Sequence, residues 1–303
     1  MFGMRLISVA VLALAIGAAA HVEDAAALQE GAPVVKSGYV EVEGGRVFCE
    51  EAGEGTPVVL LHDGLLHRET WDDQFLALAG SHRVLRYDRR GYGLSPAPEV
   101  PFSQVGDLDA VLTAAGIERA VIAGCSSGGE FAIDYALAHP ERVSGLLLVG
   151  PVVSGMGYTA HFTTRGGRFF PTEKTTIDEV IDYFTTVDPY GIASENQAAR
   201  ERANALLRAN PQDLSWEGYR WARPPDRPAL PNLGEIAVRT LIVVGEFDIP
   251  DVHAHAGAIE AGIPNATRLV VSHAGHLVHF EQPEAFNRIA LEFLAKLAET
   301  GPR

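Results

Sequence analysis

The sequence predicts an α/β chain, a doubly wound and mostly parallel sheet carrying an inserted helical cap, and three observations support that reading. Four short runs, Val58-Val59-Leu60-Leu61, Val121-Ile122-Ala123, Leu146-Leu147-Leu148-Val149 and Leu241-Ile242-Val243-Val244, are continuously apolar rather than alternating. Strands buried on both faces read this way, which is the pattern of a parallel sheet covered by helices. Helical periods lie between and after the runs, with Leu108, Val111, Leu112 and Ala115 marking one helix and Phe286, Ile289, Ala290, Phe293, Leu294 and Leu297 another. Strand and helix alternate over residues 38–151 and 232–303, but over 152–231 only helical candidates appear, among many aromatic, Arg and Gly residues. Alternation with right-handed crossovers gives the doubly wound core, and the interrupting stretch reads as the cap. Cap helices are expected over 177–186 and 195–209, and the Pro-rich run 223–231 returns the chain to the core.

The N-terminus precedes this domain. Arg5 leads into apolar residues 6–20, which end in Ala18-Ala19-Ala20 before polar His21, so 1–20 reads as a signal peptide and export to the periplasm or beyond is expected. An apolar helix of that length would reach ~22 Å, short of a hydrocarbon core of ~30 Å, so no permanent membrane span is expected. Arg5 is the only charged side chain in residues 1–20, so cleavage takes the formal net charge from -15 to -16. Such acidity argues against nucleic acid as a partner and leaves a small-molecule substrate. Cys49 and Cys125 are too few for a disulfide framework and read as two buried, unpaired thiols. The oligomeric state is not legible.

The chemistry is concentrated after the second apolar run. Gly124-Cys125-Ser126-Ser127-Gly128-Gly129 is a G-x-S-x-G motif between a strand and a helix carrying Phe131, Ile133, Tyr135, Ala136 and Leu137. A sharp turn there leaves no room for side chains at its flanks and lifts the Ser126 hydroxyl above the sheet edge. Backbone N–H groups at Ser127 and the helix start face a developing oxyanion. The motif alone is common by chance, and its bland reading is an ordinary glycine-rich helix entry. Two further segments strengthen it. Gly245-Glu246-Phe247-Asp248 sets a carboxylate just past a strand's C-terminal end, where open α/β sheets build sites. After the next strand, over 268–271, Ser272-His273-Ala274-Gly275-His276 brings an imidazole to the same edge.

From Tyr39 to the last helix the chain resembles the α/β-hydrolase family. Residues 57–66 resemble its strand and oxyanion loop, Tyr87-Asp88-Arg89-Arg90-Gly91-Tyr92-Gly93-Leu94-Ser95 its D-x-R-G-x-G-x-S loop, and His276 through Gln282-Pro283 its histidine loop. The order Ser126, Asp248, His276 is the family's nucleophile, acid and base. One departure stands out: where the family commonly has His-Gly, this chain has His62-Asp63-Gly64-Leu65. An inward carboxylate would oppose an oxyanion, so Asp63 is expected to turn away and accept backbone hydrogen bonds. Gly64 N–H is then the expected oxyanion donor, with Leu65 the alternative.

Other residues have simpler explanations. His273, His276 and His279 have an H-x-x-H-x-x-H spacing, but a loop entering a helix does not hold them on one face, so no metal is expected. Asp251, the rival acid to Asp248, follows Pro250 and suits a helix N-terminus. His253 and His255 fall on an expected surface helix with no assigned partner, and Asp88 is expected to stabilise its loop through backbone or arginine contacts. Cys125 should face the core. Tyr158, His161, Phe162, Arg165, Arg168, Phe169 and Phe170 suit a pocket lining and a packed cap equally.

Together the residues predict a serine hydrolase without cofactor, cleaving a small-molecule carboxylic ester through an acyl-enzyme. The same triad in this family also serves lactone hydrolysis, carbon–carbon bond hydrolysis and perhydrolysis, and some members bind ligands without turnover. Serine at the elbow argues against chemistry that this fold runs through a carboxylate nucleophile, as in haloalkane dehalogenases and epoxide hydrolases.

Overall fold

The structure, a computed structural model, describes residues 33–166, 175–188 and 196–299. The signal-peptide reading of 1–20 and the aromatic-basic run Arg168, Phe169 and Phe170 lie outside these residues, as does the side chain of Arg165. The described chain opens with the strand pair Lys36–Val42 (β1) and Gly45–Ala52 (β2), then runs through Pro57–Leu61 (β3), Asp72–Ala79 (α1), Arg83–Tyr87 (β4), Gln104–Ala114 (α2), Ala120–Cys125 (β5), Ser127–Ala138 (α3) and Val143–Val149 (β6). Four helices follow before the sheet resumes: Ala160–Gly166 (α4), Ile177–Asp182 (α5), Gln197–Ala209 (α6) and Glu217–Trp221 (α7). Thr240–Gly245 (β7), Pro250–Gly262 (α8), Ala266–Val271 (β8), Val278–Glu281 (α9) and Pro283–Glu299 (α10) complete it.

Among the described residues the strands form one eight-stranded sheet in the order β1-β2-β4-β3-β5-β6-β7-β8. β1, β2 and β4 pair antiparallel, and every pair from β4 to β8 is parallel. All four continuously apolar runs lie on central strands, where nearly every residue is buried. Successive side chains point to opposite faces, so one run feeds two cores. Val58, Leu60, Val121, Ala123, Leu147 and Val243 pack with Phe75 of α1 and with Phe286 and Phe293 of α10. Val59, Leu61, Ile122, Leu148 and Ile242 face Leu108 and Val111 of α2, Ile133 of α3 and Ile259 of α8. Each such fully buried side chain contributes about 1.5–3 kcal/mol, so the central strands are the stable frame on which the loops are displayed.

The helix starts follow from local chemistry. Ser103 caps α2 through Gly106 N–H at 3.1 Å, Thr176 and Glu179 form a reciprocal capping box on α5, and Asn196 caps α6 through Ala199 N–H at 3.1 Å. The helix expected over 177–186 is regular only to Asp182 and continues as a wider π turn, Tyr183–Val187. There the Thr185 hydroxyl donates to Ile181 O at 2.8 Å and competes with the backbone for that carbonyl.

The segment between β6 and β7 is tied to the core at several points. Trp221 O accepts from Phe102 N at 3.1 Å, Phe102 O accepts from Arg223 N at 2.8 Å, and Arg202 pairs with Asp73 at 2.7 Å. The strongest tie is buried: Asp213 accepts from His67 Nδ1 at 2.7 Å and from Gly93 N at 2.8 Å. The chain re-enters the core through a tight turn, Leu230–Glu235.

Burial opposes the charge on His67, but Asp213 and Glu69 outweigh it and push its pKa up to about 10. A folded-state pKa above the unfolded one gives stability that is complete below about 6.5 and is lost as pH rises through about 10. Asp213→Ala should cost about 1.5–3 kcal/mol in neutral urea unfolding, because it removes the nearer of the two carboxylates that hold the buried His67 cation and leaves Gly93 N–H without its acceptor. The destabilisation caused by His67→Gln should shrink as the same titration is repeated towards about pH 10.

Candidate active site

Three strand ends meet at the G-x-S-x-G turn. Ser126 links β5 to α3 with φ 54 and ψ −118, a region that non-glycine residues rarely occupy, and its N–H is held by Val149 O of β6 at 2.9 Å. Both glycines of the motif are required by contact rather than by φ. A Cβ on Gly124 would collide with the Gly128 and Gly129 backbone, and one on Gly128 would collide with the carbonyls of Leu61 and His62. Only a helix start without side chains can sit this close to the end of β3, and that closeness brings Ser127 alongside the His62–Leu65 loop.

The expected acid and base lie on neighbouring strand ends. Asp248 follows β7 and His276 lies in the loop after β8, and both Asp248 oxygens stand within hydrogen-bond distance of His276 Nδ1, at 3.0 and 2.9 Å. The carboxylate is fully buried and the imidazole is mostly so. Burial opposes charge on His276, but Asp248 outweighs it, with Asp63 and Glu281 adding, so its pKa lies above the ordinary histidine value. Asp248 accepts a hydrogen bond from Nδ1–H, which fixes the proton on Nδ1 and leaves the Nε2 lone pair as the basic position. Asp251 instead accepts from Thr159 N at 2.6 Å and Thr159 Oγ1 at 2.9 Å, tying α8 to the segment after β6.

The oxyanion loop answers the question raised by Asp63. Its Oδ1 accepts from Leu65 N at 2.7 Å and Leu66 N at 3.0 Å, so the side chain turns into its own loop as expected. Leu65 N–H is thereby taken, and no hydrogen bond among the described residues uses the N–H of Gly64. Burial raises the Asp63 pKa against the pull of those two donors, which weakens its opposition to a nearby anion.

The three histidines of the H-x-x-H-x-x-H spacing go to different places. His276 pairs with Asp248, His273 lies over Phe247 at 6.2 Å, and His279 is buried and stacked on Trp71 at 3.8 Å, with burial holding it neutral. Asp88 is a loop stabiliser, accepting from Arg68 N at 3.0 Å, Arg68 Nη1 at 2.7 Å and Leu94 N at 2.9 Å. Cys125 is buried in the core, and both cysteines are free. The surface placement expected for His255 needs correction. It is buried, and its Nδ1 accepts from Val153 N at 3.1 Å, because α8 turns this face onto the chain leaving β6.

Residues 58–289 match the model of the alpha/beta hydrolase family. The chain belongs to that family. It is 30% identical over 264 residues to 2-hydroxy-6-oxo-6-phenylhexa-2,4-dienoate hydrolase of Comamonas testosteroni, covering 82% of this chain and 91% of that protein. A 2-hydroxy-6-oxononadienedioate/2-hydroxy-6-oxononatrienedioate hydrolase of Cupriavidus pinatubonensis is 31% identical over 289 residues, covering 86% and 93%. Among solved structures, a hydrolase from Pseudomonas aeruginosa superposes with a TM-score of 0.71 at 26% identity, covering 86% of this chain and 98% of that one.

Four features of this alpha/beta hydrolase site escape the sequence reading. Gly150, at φ 48 directly after β6, packs on the pair: a Cβ there would stand 3.0 Å from Asp248 Oδ2 and from His276 Nδ1. A glycine closing a buried strand was its signal. Glu281 brackets His276 by accepting from Gly275 N at 2.8 Å and Leu277 N at 3.1 Å, five residues past it at the end of α9, a helix too short for periodicity to reveal it. Tyr219 of α7 reaches in from the inserted segment, its hydroxyl against Gly64, Ser127 and Arg89. Arg89 is fully buried and donates to Ser127 Oγ at 3.1 Å.

The electrostatics give a direct check. His276 should titrate above an ordinary histidine when followed by NMR, and Asp248→Asn should lower it, since the largest opposition to burial is then lost and only Asp63 and Glu281 remain.

Proposed function

We propose that this hydrolase cleaves a carboxylic ester of a small molecule through an acyl-enzyme, with Ser126 as nucleophile, His276 as general base and Asp248 as its orienting acid. The observation that carries this reading is a serine in a strained elbow at the same sheet edge as a buried carboxylate–imidazole pair. Ser126 Oγ attacks the carbonyl carbon and His276 Nε2 takes its proton. The Gly64 and Ser127 N–H groups hold the oxyanion, and the collapsing intermediate expels the alcohol, which receives the proton from His276. Water then repeats the sequence on the acyl-enzyme and restores Ser126. Residues 152–231 act as the cap that shapes the substrate compartment, with Tyr219 contributing a hydroxyl beside Gly64 and Ser127. Residues 1–20 direct export and are removed.

A second reading is favoured by the relatives. Both are named for hydrolysing 2-hydroxy-6-oxo dienoates, compounds with a ketone and a carboxylate but no ester, so their hydrolysis must break a carbon–carbon bond beside the ketone. The same nucleophile, base and oxyanion donors would serve such a substrate here.

A fluorophosphonate probe should label Ser126, and His276→Ala should abolish the labelling; an unlabelled Ser126 overturns the proposal. Ser126→Ala should lower turnover at least about 10⁴-fold. Short p-nitrophenyl esters, lactones and dienoic ketones assayed side by side decide the substrate class, and activity confined to the ketones selects the second reading. For export, N-terminal sequencing of the secreted or periplasmic protein should begin beyond Ala20.

A further inference from the structure

We infer that Arg89 is a positioning residue for the oxyanion hole: it holds the Asp63–Gly64 peptide so that Gly64 N–H faces the reacting carbonyl, and its charge, which no carboxylate among the described residues pairs, strengthens that donor. The inference rests on the assignment of Ser126 and Gly64 above.

The geometry begins at a carbonyl. Asp63 O accepts from His62 Nδ1 at 2.8 Å and also from Arg89 Nη2, which occupies both of its lone pairs. His62 can do this in one tautomer only. Its Nε2 lies 2.9 Å from Arg89 N–H, which can only donate, so the ring proton must sit on Nδ1. Burial beside the Arg89 cation keeps the imidazole neutral. A trans peptide carries its C=O and N–H in one plane, pointing in opposite directions. Two donors clamped on Asp63 O therefore fix where Gly64 N–H points, and a cation on that carbonyl polarises the amide and makes its N–H a better donor.

Charge is the second argument. Neighbouring buried arginines are neutralised: Arg90 by Asp107 at 2.6 Å, Arg68 by Asp88 at 2.7 Å, Arg86 by Glu50 at 2.8 Å. Arg89 is 1% exposed and has no ion pair among the described residues, and its Nε and Nη1 lack hydrogen-bond partners. Aromatic faces surround it instead, Tyr92 at 5.0 Å, Phe131 at 5.1 Å and Tyr219 at 5.8 Å. A guanidinium stays charged in such a place. The same Nη2 also donates to Ser127 Oγ at 3.1 Å, so one cation ties together the two segments that supply the oxyanion donors. Asp63 and Glu130 act on this arginine without an ion pair, and an anion forming between the two segments would give it a direct one.

The test is saturation kinetics of Ser126 labelling by a fluorophosphonate, whose phosphoryl oxygen occupies the same hole. Arg89→Met should lower the maximal labelling rate about 10- to 100-fold with half-saturation within about twofold, because the lost interaction exists mainly in the transition state. Arg89→Lys, which keeps the charge but cannot span both acceptors, should fall in between, and it carries the test if Arg89→Met does not fold. The Gly64 amide nitrogen should shift in the NMR spectrum of either variant. Wild-type labelling rates in the folded variants, or weaker half-saturation at an unchanged maximal rate, would overturn the inference while leaving Ser126 as the nucleophile. A wild-type Ser126 that takes no label at all would instead remove the reading on which it rests.

Discussion

The site depends on one close approach, the seating of the α3 start against the end of β3. Gly128 has no side chain because the carbonyls of Leu61 and His62 occupy the space a Cβ would need, and Gly124 is bare because Gly128 itself is there. That contact lifts Ser126 into a positive-φ turn and sets the first N–H groups of α3 beside the loop leaving β3. The strained turn is sustained because β3, β5 and β6 are buried on both faces and cannot shift to relieve it. Rigid strands thus supply a precision that loops alone would not.

Electrostatics then separates roles among groups of the same type. Three carboxylates surround the base: Asp248 bonds His276 directly, Glu281 holds the backbone on either side of it, and Asp63 is absorbed by its own loop. The two adjacent arginines differ as sharply. Arg90 is locked to Asp107 and joins its loop to α2, while Arg89 turns inward without a carboxylate. Histidines follow the same rule, with His67 held charged by Asp213 and His279 held neutral by its apolar surroundings. Burial pushes each imidazole towards neutrality, and only those given a buried carboxylate resist.

How much of this was legible depends on whether the determining contact is local. The central strands could be read because continuous apolar runs report burial on both faces, and β5, the elbow and α3 because the glycines and serine act on one another within six positions. Chain order marked Asp248 and His276, since parallel strands deliver their C-terminal ends to one edge. The π turn after α5 was hidden, because the threonine hydroxyls that bond the preceding turn's carbonyls, Thr185 to Ile181 O and Thr186 to Asp182 O, leave no trace in the periodicity. His255 was misplaced for a similar reason: its helix looks like a surface element until the chain leaving β6 covers it.

By itself, the sequence determined the sheet, the strand-turn-helix around Ser126 and the placing of Asp248 and His276 at neighbouring strand ends, all of which follow from patterning and short-range sterics. Only the tertiary structure decided that Gly150 and Glu281 pack around Asp248 and His276, that Tyr219 reaches Gly64, and that Arg89 sits against the Asp63–Gly64 peptide. Those contacts join residues as many as 155 positions apart, Gly64 and Tyr219 among them. They are set by how strand ends and the inserted segment converge in space, which no local pattern encodes.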